Sequence, residues 1–229
     1  MKLRDRLAEI ERQLLTVIDA EERAALLAAI ERLRMLQIVE QGLAAGDVLP
    51  DFTLPDTAGR MVASAALLDR GPLVLAFFRG PWCPYCSLMV EALDQLRPQV
   101  EALGGSCVAV APLTVPELAA MARERGLEIS LLSDAGSSYA GVCGVRFEMT
   151  PESTALYGRL AARFDQTIPG LDAPGGRVLP VPTTYVAGQD GMIAYSFGDA
   201  NWARRADPDE ILAAVERLVR RSPVPAVSA

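Results

Sequence analysis

Seven apolar residues in a row, Pro72-Leu73-Val74-Leu75-Ala76-Phe77-Phe78, run directly into Arg79-Gly80-Pro81-Trp82-Cys83-Pro84-Tyr85-Cys86. An unbroken apolar run suits a strand buried on both faces, as in parallel sheets covered by helices. The glycine and prolines that follow mark a turn, and the apolar spacing from Tyr85 to Leu103 marks a helix. The chain must therefore build a strand–turn–helix unit with two cysteines at the joint. Pro98 falls inside that helix and predicts a kink.

The same signals divide the rest of the chain. Leu3, Leu7, Ile10, Leu14 and Val17 step by four and three residues, one stripe of a helix. Asp19 with Glu22 reads as a fresh helix start, predicting a second helix from about Ala20 to Leu43, closed by Gly46. Residues 1–45 thus read as a helical arm, a hairpin or one kinked helix. It packs on the main domain, pairs with a second copy as a homodimer, or has a separate ligand role. A strand and turn follow at Leu49–Gly59, then strands at Ser106–Ala111 and Glu128–Leu132, with helices from Thr114, over Ser137–Cys143 and over Pro151–Arg163. Gln166–Val181 carries Pro169, Gly170, Pro174, Gly175, Gly176 and Pro180 and reads as an irregular loop. Strands at Thr183–Ala187 and Met192–Phe197 form a hairpin, and Asp207 opens a last helix. This order predicts one α/β domain with a mixed sheet over 46–221 and a frayed tail over 222–229.

Charge and composition exclude several functions. With 22 Lys+Arg against 29 Asp+Glu the net charge is −7, which disfavours nucleic acid. No apolar run has the length of a membrane span, and the charged first residues do not form a secretory leader. A cytoplasmic location is expected. Histidine is absent, which removes Ser-His-Asp and Cys-His catalysis and any His-ligated metal.

The four cysteines are Cys83, Cys86, Cys107 and Cys143. In a reducing compartment a lone C-x-x-C points to redox chemistry. A zinc site would need Cys107 and Cys143 as further ligands, and Cys107 lies in an apolar strand; neither metal nor cofactor is expected. Cys83 stands at a helix start, where unpaired amides and the helix dipole favour a thiolate. It is predicted to be the thiol of lower pKa, with Cys86 one turn on, less accessible and able to close a disulfide with it. Pro84 fits the first helical turn. Trp82 and Tyr85 either pack or shape the face that meets a substrate. Cys107 reads as structural, and Cys143 as structural or as a resolving thiol.

The strand, Trp82-Cys83-Pro84-Tyr85-Cys86 and the later Val181-Pro182-Thr183 resemble the thioredoxin fold, with CPYC familiar from glutaredoxins. Gly46-Asp47-Val48-Leu49-Pro50-Asp51-Phe52, Leu132-Ser133-Asp134 and Tyr139-Ala140-Gly141-Val142 extend the resemblance to the peroxiredoxin-like branch of the alkyl hydroperoxide reductase / thiol-specific antioxidant family. It spans roughly residues 46–221. It implies a thioredoxin-like α/β fold, a cis Val181–Pro182 bond facing the cysteines, and supporting roles for Pro182 and Thr183. The family's PxxxTxxC pattern puts Cys86 on the peroxide-attacking cysteine, Cys83 on the threonine and Arg79 on the proline. Arg79 and Arg146 are the candidates for the arginine that activates peroxide. A thiol peroxidase regenerated by a dithiol protein such as thioredoxin or glutaredoxin is one reading. A general disulfide oxidoreductase attacking through Cys83, and a non-catalytic redox sensor, are the others.

Overall fold

The computed structural model describes residues 2–164, 166–168 and 178–221. Along the chain run α1 (Leu3–Val17), α2 (Ala20–Met35), α3 (Ile38–Gln41), β1 (Thr53–Pro55), β2 (Met61–Ala63), α4 (Ser64–Leu68), β3 (Leu73–Phe77), α5 (Pro84–Ala102), β4 (Ser106–Ala111) and α6 (Val115–Arg125). Then come β5 (Ser130–Ser133), α7 (Ser138–Val142), β6 (Arg146–Glu148), α8 (Pro151–Arg163), β7 (Val178–Pro180), β8 (Thr183–Ala187), β9 (Ile193–Gly198) and α9 (Pro208–Arg221). The central sheet has the order β5-β4-β3-β8-β9. β3 pairs in parallel with β4, and β4 with β5; β8 runs antiparallel to both β3 and β9.

The apolar runs follow from this topology. Successive strand residues point to opposite faces, and here both faces are buried. Val74, Ala76, Phe78, Cys107 and Ala109 join the core beneath α5, while Leu73, Leu75, Phe77, Val108 and Val110 join the core on the other side. β3 ends where Gly80, at φ 144°, turns the chain into α5. A Cβ at Gly80 would lie 2.7 Å from Trp82 Nε1, so the turn needs glycine.

Three expectations change. The second helix stops at Met35, because Gln37 takes a left-handed conformation at φ 49°. That turn lets Ile38 and Val39 pack against the core, a tertiary contact that overrides helical propensity. Second, α5 runs from Pro84 to Ala102, one residue earlier at each end than predicted, with Pro98 in its interior. Third, the span read as an irregular loop contains β7, which pairs with β6. Pro169, Gly170, Pro174, Gly175 and Gly176 of that loop, and the tail over 222–229, lie outside the described residues.

The arm packs on its own chain. Asp19 caps α2, its side chain accepting from Glu22 N while the Glu22 carboxylate accepts from Asp19 N. α1 lies on α5 and α2 lies on α8. Leu7, Leu26, Ile30 and Leu33 are buried in the core that also holds both cysteines of the C-x-x-C. Arg163 of α8 grips the Glu22 carboxylate through two hydrogen bonds of 2.9 Å and donates to Val17 O at 2.7 Å. This fork ties the start of α2 to the end of α8. Leu33 has only 5% of its surface exposed. Leu33→Ala should therefore lower stability by about 2–5 kcal/mol, read as a lower denaturation midpoint with an unchanged slope.

Candidate active site

Cys83 is the N-cap of α5 and Pro84 its first residue. Its carbonyl accepts from Cys86 N at 2.9 Å and Ser87 N at 3.0 Å, which closes the first turn and stacks Cys86 beneath Cys83. Both sulfurs are reduced and buried, Cys83 with 2% and Cys86 with none of its surface exposed.

Two guanidiniums meet the pair. Arg79 Nη2 donates to Cys83 Sγ at 3.1 Å, and Arg205 Nη2 donates to Cys86 Sγ at 3.3 Å. Arg79 is itself buried, held over the rings of Trp82, Tyr157 and Trp202 at 5.2, 5.5 and 5.2 Å from their centroids. Its Nη1 donates to Tyr157 Oη at 3.5 Å, and its Nε has no partner among the described residues. Trp82 and Trp202 each pack edge-on against Tyr157. Arg205 is placed by the β9–α9 loop. There Asp199 accepts from Asn201 N, Asn201 accepts from Ala203 N, and Trp202 O and Arg204 O take the Arg205 Nη1 donor.

These contacts decide which sulfur carries the charge. Burial pushes the Cys86 thiol up, but the hydrogen bond from Cys83 and the charges of Arg205 and Arg79 outweigh it, holding it well below the ordinary thiol value. Burial also pushes the Cys83 thiol up, and its donation to Cys86 adds to that; Arg79 opposes both only in part, so Cys83 stays protonated. The expectation that Cys83 is the lower of the two is thus reversed. The helix-start argument counts local amides and omits Arg205, which lies 119 residues further on.

The remaining candidates separate. Trp82, Pro84 and Tyr85 line a cavity above Cys83, together with Arg79. Pro182 and Thr183 do not line it; Thr183 Oγ1 donates to Val181 O. The Val181–Pro182 bond is trans, since the described residues contain no cis peptide, so the cis geometry implied by the resemblance is corrected. Arg146 is exposed on β6 with its guanidinium against Gly141. Cys143 belongs to the core on the opposite face of the sheet from Cys83 and Cys86. Burial pushes Cys107 and Cys143 up to about 12 each, the state of inert thiols. No group of metal-binding side chains occurs among the described residues. Sequence reasoning missed Tyr157, Trp202 and Arg205, which come from α8 and the β9–α9 loop and share no motif with the cysteines.

Comparisons with known proteins place the chain by family and fold. The model of the AhpC/TSA family matches residues 45–196. Two Mycobacterium tuberculosis relatives, from strains CDC 1551 / Oshkosh and H37Rv, both carry a provisional peroxiredoxin name. Each is 32% identical over 101 residues, 44% of this chain and 66% of the relative, so the match spans just under two thirds of their length. Among solved structures, peroxidoxin BcpB from Mycobacterium tuberculosis superposes with a TM-score of 0.59 at 23% identity, over 77% of this chain and 98% of that one. A mutant of Xylella fastidiosa PrxQ gives 0.58 at 15%, over 76% and 96%. The shared fold is the thioredoxin-like α/β fold.

A thiol whose folded value is depressed adds stability above the free-thiol value of roughly 8.5 and loses it as pH falls through the folded value. Thiolate ultraviolet absorbance of the reduced protein should accordingly persist well below that value. In Arg205→Leu the absorbance should be lost at higher pH than in wild type. Equal titrations of the two proteins would remove Arg205 from this role.

Proposed function

The chain belongs to the AhpC/TSA family, and on that premise we propose that it is a thiol peroxidase in which Cys86 attacks and Cys83 resolves. The observation that supports this most is the placing of Cys86 Sγ 3.3 Å from Arg205 Nη2. Thiolate is the attacking species, and this setting favours it on Cys86. Peroxide enters from the cavity side, past Cys83. The Cys86 thiolate attacks one peroxide oxygen, the O–O bond breaks, and the other oxygen leaves as an alcohol or water after taking a proton. Arg79 and Arg205 stabilise the charge that develops on the oxygens. The sulfenic acid on Cys86 is then attacked by Cys83, water leaves, and a Cys83–Cys86 disulfide remains. Two thiols from a reductant return the pair to its starting state.

A second reading is favoured by one observation: Cys83, and not Cys86, lines the cavity. In a general disulfide oxidoreductase the accessible sulfur attacks first. A homodimer is a separate proposal, with exposed Leu27 and Met35 on α2 as its face. Light scattering of the full chain should then give twice the monomer mass; a monomer at all working concentrations discards it.

Stopped-flow mixing of the reduced protein with hydrogen peroxide and an organic hydroperoxide should change tryptophan fluorescence, since Trp82 and Trp202 flank Arg79. Cys83→Ser should accumulate a trappable sulfenic acid and Cys86→Ser should not. The opposite pattern would give the attack to Cys83. A protein inert to peroxide but active on disulfides would favour the second reading. Arg205→Leu should slow peroxide oxidation by about tenfold to a hundredfold, the worth of one charged hydrogen bond.

A further inference from the structure

The cavity above Cys83 has a volume of about 390 Å³. Its floor is inside the stretch that the family model matches: Cys83, Trp82 and Arg79. Its roof is not, for Ile10, Leu14 and Leu26 come from the arm, outside the matched residues 45–196. Leu160 of α8 and Phe164 just after it complete the apolar walls, and Gln13 and Arg125 stand at the exposed rim. This is the size of a small-molecule site.

We propose that this cavity is the site of reduction, and that it takes a low-molecular-mass thiol with an apolar body in place of a protein dithiol. The inference rests on the Cys83–Cys86 disulfide chemistry described above. Three observations carry it. Only Cys83 of the pair lines the cavity, so an incoming thiolate meets that sulfur. The better leaving sulfur is the one whose thiolate is more stable, and Arg205 makes that Cys86. Cys83 has only 2% of its surface exposed beneath the roof, which leaves no flat approach for a folded protein bearing its own cysteine. The apolar walls favour an aliphatic or aromatic body.

The chemistry balances. A thiolate RS⁻ attacks Cys83 Sγ, the Cys83–Cys86 bond breaks, and its electron pair passes to Cys86 as thiolate. The product is a Cys83–S–S–R mixed disulfide. A second thiolate, from the same dithiol or another molecule, attacks the R sulfur. Cys83 leaves and takes a proton, and R–S–S–R departs. Two thiols are oxidised and one protein disulfide is reduced.

The test starts from full-length protein oxidised with diamide, so its outcome does not depend on reaction with peroxide. Failure of peroxide to oxidise the reduced protein would sink the peroxidase reading alone. Reduction is followed by tryptophan fluorescence with dihydrolipoamide, glutathione and thioredoxin as probes. Dihydrolipoamide should react at least about tenfold faster than either of the others. Leu14→Trp, which fills the cavity, should slow dihydrolipoamide by at least about tenfold. Gln13→Trp, at an exposed position that folding tolerates, should slow it in the same direction by covering the mouth. In Cys86→Ser protein, 2-mercaptoethanol disulfide should label Cys83. Faster reduction by thioredoxin, or an unchanged dihydrolipoamide rate in both tryptophan variants, overturns the proposal. So does failure of that disulfide to label Cys83.

Discussion

Arg79 is a cation buried without a carboxylate: the groups that hold its charge are Cys83, Tyr157 and Cys86. Removing an ion from water costs several kcal/mol. Three aromatic faces recover part of this, each worth about 0.5–2 kcal/mol when desolvated. The remainder requires a negative charge within reach, and the dithiol is the group able to carry one. The arginine and the thiolate thus presuppose each other. The same cage fixes distant segments, because Trp82 follows β3, Tyr157 sits on α8 and Trp202 precedes α9. Disturbing any of the three rings would move the guanidinium that both sulfurs feel.

Much of this scaffold is legible in the sequence, for physical reasons. β3 and β4 are buried on both faces, so their residues are apolar without alternation. The Cys83–Cys86 turn is marked by Gly80, Pro81 and Pro84, whose backbone restrictions act locally. The Asp19 and Glu22 pairing likewise needs only a four-residue window. The centre's electrostatics are another matter. Arg205 reaches Cys86 only because the sheet brings the β9–α9 loop beside the start of α5, and no spacing rule encodes that. The reversed order of the two thiols has the same origin. β6 and β7 are three residues each, too short for a period to register, and the Gln37 turn contains neither glycine nor proline. Its cause is the packing of Ile38 and Val39, which is tertiary.

Cys143 illustrates the converse. Its proximity to glycines on a short helix left a redox role open, yet the sheet stands between it and Cys86. The alternation of side chains along β3 and β4 that makes two cores also partitions the thiols. Cys107 shares a core with the reactive pair but sits in β4, where burial suppresses ionisation. Four chemically identical groups thus acquire distinct behaviour from backbone placement and charge alone.

The arm covers the centre from outside the segment that the family model matches, yet it supplies one wall of the space through which the pair is reached. The two sulfurs and Arg79 thus lie inside the matched stretch, while the arm's wall, Trp202 and Arg205 come from outside it. Substitutions in α1 or α2 can alter which molecules gain entry while leaving sulfurs, guanidiniums and aromatic cage intact. A lineage could acquire a new physiological role by remodelling forty residues that never touch the reacting atoms.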